Sequence, residues 1–173
     1  MKVYTRNTSM AVLDVVNKSE VQQKYSHKLP TGVDFVAGEW AKIGQASAAD
    51  GDVLTATQVT ATPTVSDIGV LFAPCFTSTK DNSSAVAIGE GAFVHPDHMA
   101  WTDYYIANSA LLVDVELTLG VASSKNGQLK VAATGDLVVA KCIAGPTQRN
   151  IWSQGAPPVT MIKYVTVDNY VKA

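Results

Sequence analysis

Between Val113 and Leu119 the chain alternates. Val113, Val115, Leu117 and Leu119 are apolar, and Asp114, Glu116 and Thr118 are polar. A period of two sends one set into a core and the other into water, so this stretch is expected to be a half-buried strand. Asn126-Gly127 follows Ser123, Ser124 and Lys125. An Asn-Gly pair takes the positive φ angles of a tight hairpin, which places the expected turn there. Leu129, Val131 and Ala133 then alternate with Lys130, Ala132 and Thr134. Gly135-Asp136 marks the next turn, and Leu137 to Ile143 is apolar at nearly every position. Such a run suits a strand covered on both faces.

The same reading extends along the chain. Val33 to Ile43 reads as a strand pair bent at Gly38-Glu39. Val53 to Val65 is rich in Thr and Val, and Pro63 belongs at an edge or a strand end. Asp67 to Phe76 is a short buried run closed by Pro74, and Ala85 to Val94 returns to strand. Gly145 to Pro158 reads as a long loop carrying Trp152, before a last strand from Val159 to Val167. No stretch sustains a period of 3.6. The expected fold is all-β, a single compact β-barrel or β-sandwich over residues 31–173. Residues 1–30 have no clean period, and Glu20 to Tyr25 is too short to stand alone as a helix. They read as an extended N-terminal arm, with an ordinary first strand and loop of the same domain as the alternative.

Composition changes what the outside of this fold should look like. The chain has 173 residues, of which 47% are hydrophobic and only 16% charged. Roughly 25% charged is usual for soluble domains. A surface left to Thr, Ser, Ala, Asn and Gln suits a subunit packed against copies or partners better than a free monomer. The net charge of -2 and the absence of any Lys/Arg cluster argue against nucleic acid and against an anionic membrane as partners. The N-terminus shows no secretory h-region, and no apolar run reaches the length of a membrane span. Cys75 and Cys142 each sit in an apolar stretch and are expected as buried free thiols.

Candidate chemistry concentrates in one place. His95-Pro96-Asp97-His98 holds two imidazoles and a carboxylate, which is metal-ligand chemistry. A metal there needs a third ligand from elsewhere, with Asp103 the nearest carboxylate. A polar turn shaped by Pro96 is the plainer reading. Trp101, Tyr104 and Tyr105 suit either a stacking platform or core and interface anchors, and the anchor role is the commoner one. Gly89-Glu90-Gly91 completes no dinucleotide-binding loop. No catalytic residue, metal ligand or cofactor is assigned, and the chain is not expected to be an enzyme.

Gly38-Glu39-Trp40-Ala41-Lys42-Ile43, Gly127-Gln128-Leu129-Lys130-Val131-Ala132 and Thr134-Gly135-Asp136-Leu137-Val138-Val139-Ala140 carry a family likeness. Together with the charge-poor composition, they resemble the capsid decoration, or cement, proteins of tailed bacteriophages. That resemblance implies a β-barrel or β-sandwich body on the outer capsid surface, often a trimer, made in the host cytoplasm. Its partners would be the major capsid protein and copies of itself. The expected contact residues are Val3, Tyr4, Val12 and Leu13 in the arm, and Tyr104, Tyr105 and Trp152 on loops. A tail-tube or head-tail joining protein is the neighbouring alternative. A carbohydrate-binding or hydrolytic β-sandwich using His95, Asp97, His98, Trp101 and Tyr104 is the alternative from another class.

Overall fold

The computed structural model describes residues 13–16, 24–29, 33–44, 54–76, 90–95, 97–150 and 157–173. In chain order the strands are β1 (Leu13–Val15), β2 (Lys24–Lys28), β3 (Trp40–Gly44), β4 (Thr55–Gln58), β5 (Leu71–Pro74) and β6 (Glu90–Val94). They continue as β7 (Met99–Thr102), β8 (Glu116–Ala122), β9 (Lys125–Val131), β10 (Leu137–Arg149) and β11 (Val159–Val171). A 3-10 turn spans Val65–Asp67. The fold is all-β, as the alternation implies.

Two sheets result, ordered β1-β7-β11-β10-β8-β9 and β5-β3-β4-β2-β6. Between the named strands pairing is antiparallel, except where Lys28 of β2 lies beside Thr55 of β4; the isolated bridge of Tyr105 to Leu129 is also parallel. The five-stranded sheet curls until its edges touch. Cys75, just after β5, bridges Phe93 of β6, and the Phe76 N–H donates to the Ala92 carbonyl at 2.9 Å. The larger sheet bends likewise. The chain leaves β7 and crosses to the far edge, where Tyr105 lies beside Leu129 of β9.

Period-two alternation in the curled sheet serves two cores. Ala41, Ile43, Ala73 and Phe93 point into a small interior with Leu29, Phe35, Ala56 and Cys75. Alanines and a cysteine suit that side, because a tight curl leaves little volume per residue. Trp40, Phe72 and Val94 project from the opposite face into the larger core. There they meet Leu117, Leu119, Leu129, Leu137, Ile162 and Tyr164. Both cysteines are buried free thiols.

Three local expectations change. The hairpin between β8 and β9 turns at Ser123-Ser124, whose φ angles are 50° and 62°, not at Asn126-Gly127. Short hydroxylated side chains tolerate that conformation well enough to close a two-residue turn. Asn126 and Gly127 instead form a bulge opposite Val121. Gly127, at φ 57°, thereby lays the β9 backbone against the backbone of Trp40. Thr118, expected in water, is fully buried, because the middle of β8 is covered on both faces. Residues 145–149, expected as loop, continue β10 through Pro146, which lies exposed. The described parts of residues 1–30 pair with the two sheets. Leu13, Asp14 and Val15 pair with Thr102, Trp101 and Ala100, and β2 pairs along its length with β6.

Candidate functional site

Of the expected contact residues, Leu13, Tyr104 and Tyr105 are described. Leu13 is 7% exposed and Tyr104 5% exposed, so both side chains serve the interior. β1 puts Leu13 and Val15 inward and Asp14 outward. Tyr105 is half-buried. Val3, Tyr4, Val12 and Trp152 lie outside the described residues. Among the described residues, the large apolar side chains most exposed are others: Val65 (64%), Ile68 (55%), Leu112 (64%) and Val113 (62%). The alternation misassigned Val113 to the core, because the strand begins only at Glu116. Two hydrophobic neighbours at Leu112-Val113, ahead of a strand, were the available clue.

Both exposed pairs sit on pinned turns. At the first, the Asp67 carboxylate accepts the Thr64 N–H at 3.0 Å, and the Asp67 N–H donates to the Thr64 carbonyl at 2.9 Å. At the second, the Leu112 N–H donates to Ala110 and the Asp114 N–H to Cys142, at 2.9 and 2.8 Å. Beside the first turn lies an open groove of about 160 Å³, lined by Lys42, Gln58, Thr60, Asp67 and Phe72. Pockets that enclose a drug-sized ligand run from about 300 Å³ upward.

The chain's three histidines converge where β6 passes into β7. His27 on β2 and His95 bring their Nε2 atoms to 3.1 Å, so one ring donates and the other accepts. His98 Nδ1 lies 2.8 Å from the His95 carbonyl, and a carbonyl only accepts, so the proton is on Nδ1. Its Nε2 then accepts from the Tyr164 hydroxyl at 2.9 Å. Both nitrogens of His98 are thus engaged, and the residue is 1% exposed. Burial pushes His98 down to about 4, partly opposed by the His95 carbonyl and by Asp97. Burial, together with His27, also pushes His95 down to about 4. Among the described residues, no three His, Cys, Asp or Glu side chains are arranged to hold a metal ion. His95 turns its Nε2 to the His27 ring, and His98 meets the His95 backbone carbonyl.

The five residues of the carbohydrate or hydrolytic alternative differ in exposure. His98 and Tyr104 are buried and Asp97 is exposed. Trp101 carries the Arg149 guanidinium 4.4 Å above its ring, and Arg149 is held there by Asp14 at 3.1 Å. A ring covered in that way offers less stacking surface to a sugar. One further titratable group was not foreseen. Glu39 is 3% exposed and takes the Val36 N–H at 3.1 Å and Gln58 Nε2 at 3.2 Å. Burial raises its carboxyl to about 7, against the lowering effect of those two hydrogen bonds.

The chain matches no protein-family model, no curated protein and no solved structure.

Proposed function

We propose that this protein is a virion structural subunit, a capsid decoration (cement) protein of a tailed bacteriophage. It binds the outer capsid surface, bridges major capsid subunits and copies of itself, and catalyses no reaction. One observation carries the reading: Val65, Ile68, Leu112 and Val113 stand more than half exposed on turns locked by backbone hydrogen bonds. Apolar tips that are already ordered lose little conformational entropy on docking, so more of the burial energy appears as affinity. The turns lie toward opposite parts of β10. Pro63, near the first, accepts from the Leu137 N–H, and Asp114, at the second, donates to Cys142. The five residue steps from Leu137 to Cys142 correspond to roughly 17 Å of strand. Two separated apolar tips suit contact with two neighbours better than capture of one small ligand. Two of the stretches that carry the family likeness also touch, since Gly127 lies on the Trp40 backbone. They therefore form one piece of the fold.

Replacing Leu112 and Val113 by serine, or Val65 and Ile68 by serine, tests this. Exposed substitutions change stability by only about 0.5 kcal/mol, so the melting temperature should hold. Each apolar side chain buried at an interface contributes about 1.5–3 kcal/mol, so binding to undecorated capsids should fall at least tenfold per pair. Unchanged binding in both double variants would remove the tips from the interface.

A further inference from the structure

We propose that copies of this chain join head to tail, with Leu112 and Val113 of one copy seated in the groove beside Val65 and Ile68 of the next. The inference rests on the reading above, in which both apolar tips are contact surfaces, and it names the partner of each as a second copy.

Groove and tip are complementary in kind. The buried side chains of Val59, Pro63 and Phe72 form the apolar part of the groove. Val59 and Phe72 belong to the larger core, so that core comes to the surface here. The groove holds about 160 Å³. A space of about 150 Å³ takes a group the size of benzene, which is the scale of one leucine side chain. Leu112 is such a side chain, 64% exposed, and its neighbour Leu111 is buried in the same larger core. At the tip, apolar sequence runs on past the surface of the core. At the groove, the surface leaves part of the core open.

The contact has to be between molecules. A Leu112 so exposed fills no groove of its own chain. The two turns are also tied to β10 at Leu137 and Cys142, five residue steps or roughly 17 Å apart. A tip at one place and its groove at another make a heterologous contact. Such a contact repeats from copy to copy, giving a ring where the rotation closes and a line where it does not. It also gathers Val65, Ile68, Leu112 and Val113 into one interface, and among the described residues these are the large apolar side chains more than half exposed. A tip-to-tip contact would cover two of the four.

Charge agrees with this seating. Asp114 is exposed, follows Val113 directly and is the one charged residue between positions 104 and 115. On the groove's rim, Lys42 pairs with Asp67 at 3.4 Å and is the more exposed of the two. An Asp114 carboxylate arriving with Leu112 meets that ammonium, whereas two tips meeting would set one Asp114 against another. Exposed charges of this kind fix orientation more than affinity.

The test uses the purified full chain without capsids. Sedimentation equilibrium reads its mass from about 1 µM to about 500 µM, where a contact smaller than a standard interface assembles. Wild type is expected to grow beyond a dimer. L112S/V113S removes the tip, and A61E places a carboxylate on the exposed wall of the groove. Each is expected to associate at least tenfold more weakly than wild type. An equimolar mixture of the two should form a dimer and stop there, because one still offers a groove and the other a tip. Melting temperatures check that the variants fold, and T60E, on the same wall, replaces A61E if that one does not. A wild type that stays monomeric throughout, either variant associating like wild type, or a mixture as monomeric as its components would each overturn the head-to-tail contact. A monomeric wild type whose capsid binding L112S/V113S abolishes would return the tip to the capsid protein, so this contact can fail while the capsid reading stands.

Discussion

Gly127→Ala is expected to destabilise the fold by roughly 2–5 kcal/mol and lower its melting temperature by about 5–15 °C. Two effects add. At φ 57° an alanine sits in the left-handed region, which costs about 1–2 kcal/mol for a residue with a Cβ. The new methyl also enters the backbone of Trp40, within 2.9 Å of its nitrogen and 3.0 Å of its carbonyl carbon, with the oxygen closer still. Backbone cannot swing aside as a flexible side chain would, so β9 has to lift off β3. Gly135→Ala separates the two effects. Its φ is 90°, but nothing lies within 4 Å of the new Cβ, so only the backbone cost should appear. Thermal unfolding of both variants makes the comparison. Equal losses would mean that the contact between Gly127 and Trp40 contributes nothing.

Glu39→Gln is expected to stabilise the protein in mild base and not in acid. The Glu39 carboxyl goes from 4.5 as a free group to about 7 in the fold. A raised carboxyl contributes its full stability below the unfolded value and loses it as pH rises through the folded one. Near pH 8 the wild type therefore holds a buried carboxylate, while the glutamine variant does not. The linkage sets an upper limit of about 3 kcal/mol, and partial loss of the Val36 and Gln58 hydrogen bonds trims it to roughly 1–2. At about pH 8 the variant should melt about 2–8 °C higher than wild type, and at about pH 4.5 no higher. A constant difference at both pH values would show that Glu39 does not ionise in this range. The histidines act in the opposite sense. With both His95 and His98 lowered to about 4, their contribution is complete above 6.5 and falls away towards 4. Stability should thus decline on both sides of mildly acidic pH.

Much of the fold was legible because alternation is local. Leu117, Leu119 and Leu129 are fully buried where a period of two puts them, and Gly135-Asp136 turns where its residues suggest. The hairpin before β9 was misplaced because Asn-Gly serves a tight turn and a bulge equally well. The deciding fact, Trp40 lying against Gly127, is a contact between distant parts of the sequence. β10 was read too short because Gly145-Pro146 is punctuation in most contexts, yet here the proline lies on an exposed part of a paired strand. The histidine junction was half visible. His95 and His98 stood out by spacing, while His27 joins them from 68 positions away. Glu39 was invisible, since nothing in its neighbours shows that Gln58 and β3 will enclose it. The apolar tips were obscured by the same alternation that located β8.

The central claim is that this chain works by occupying other proteins' surface. Its most direct test is sedimentation of the purified chain with undecorated capsids of a tailed phage. Saturable co-sedimentation in a fixed, lattice-sized copy number, with a rise in the capsid's melting temperature, is the expected result. A monomer that stays in the supernatant at every concentration, and leaves capsid stability unchanged, would contradict it.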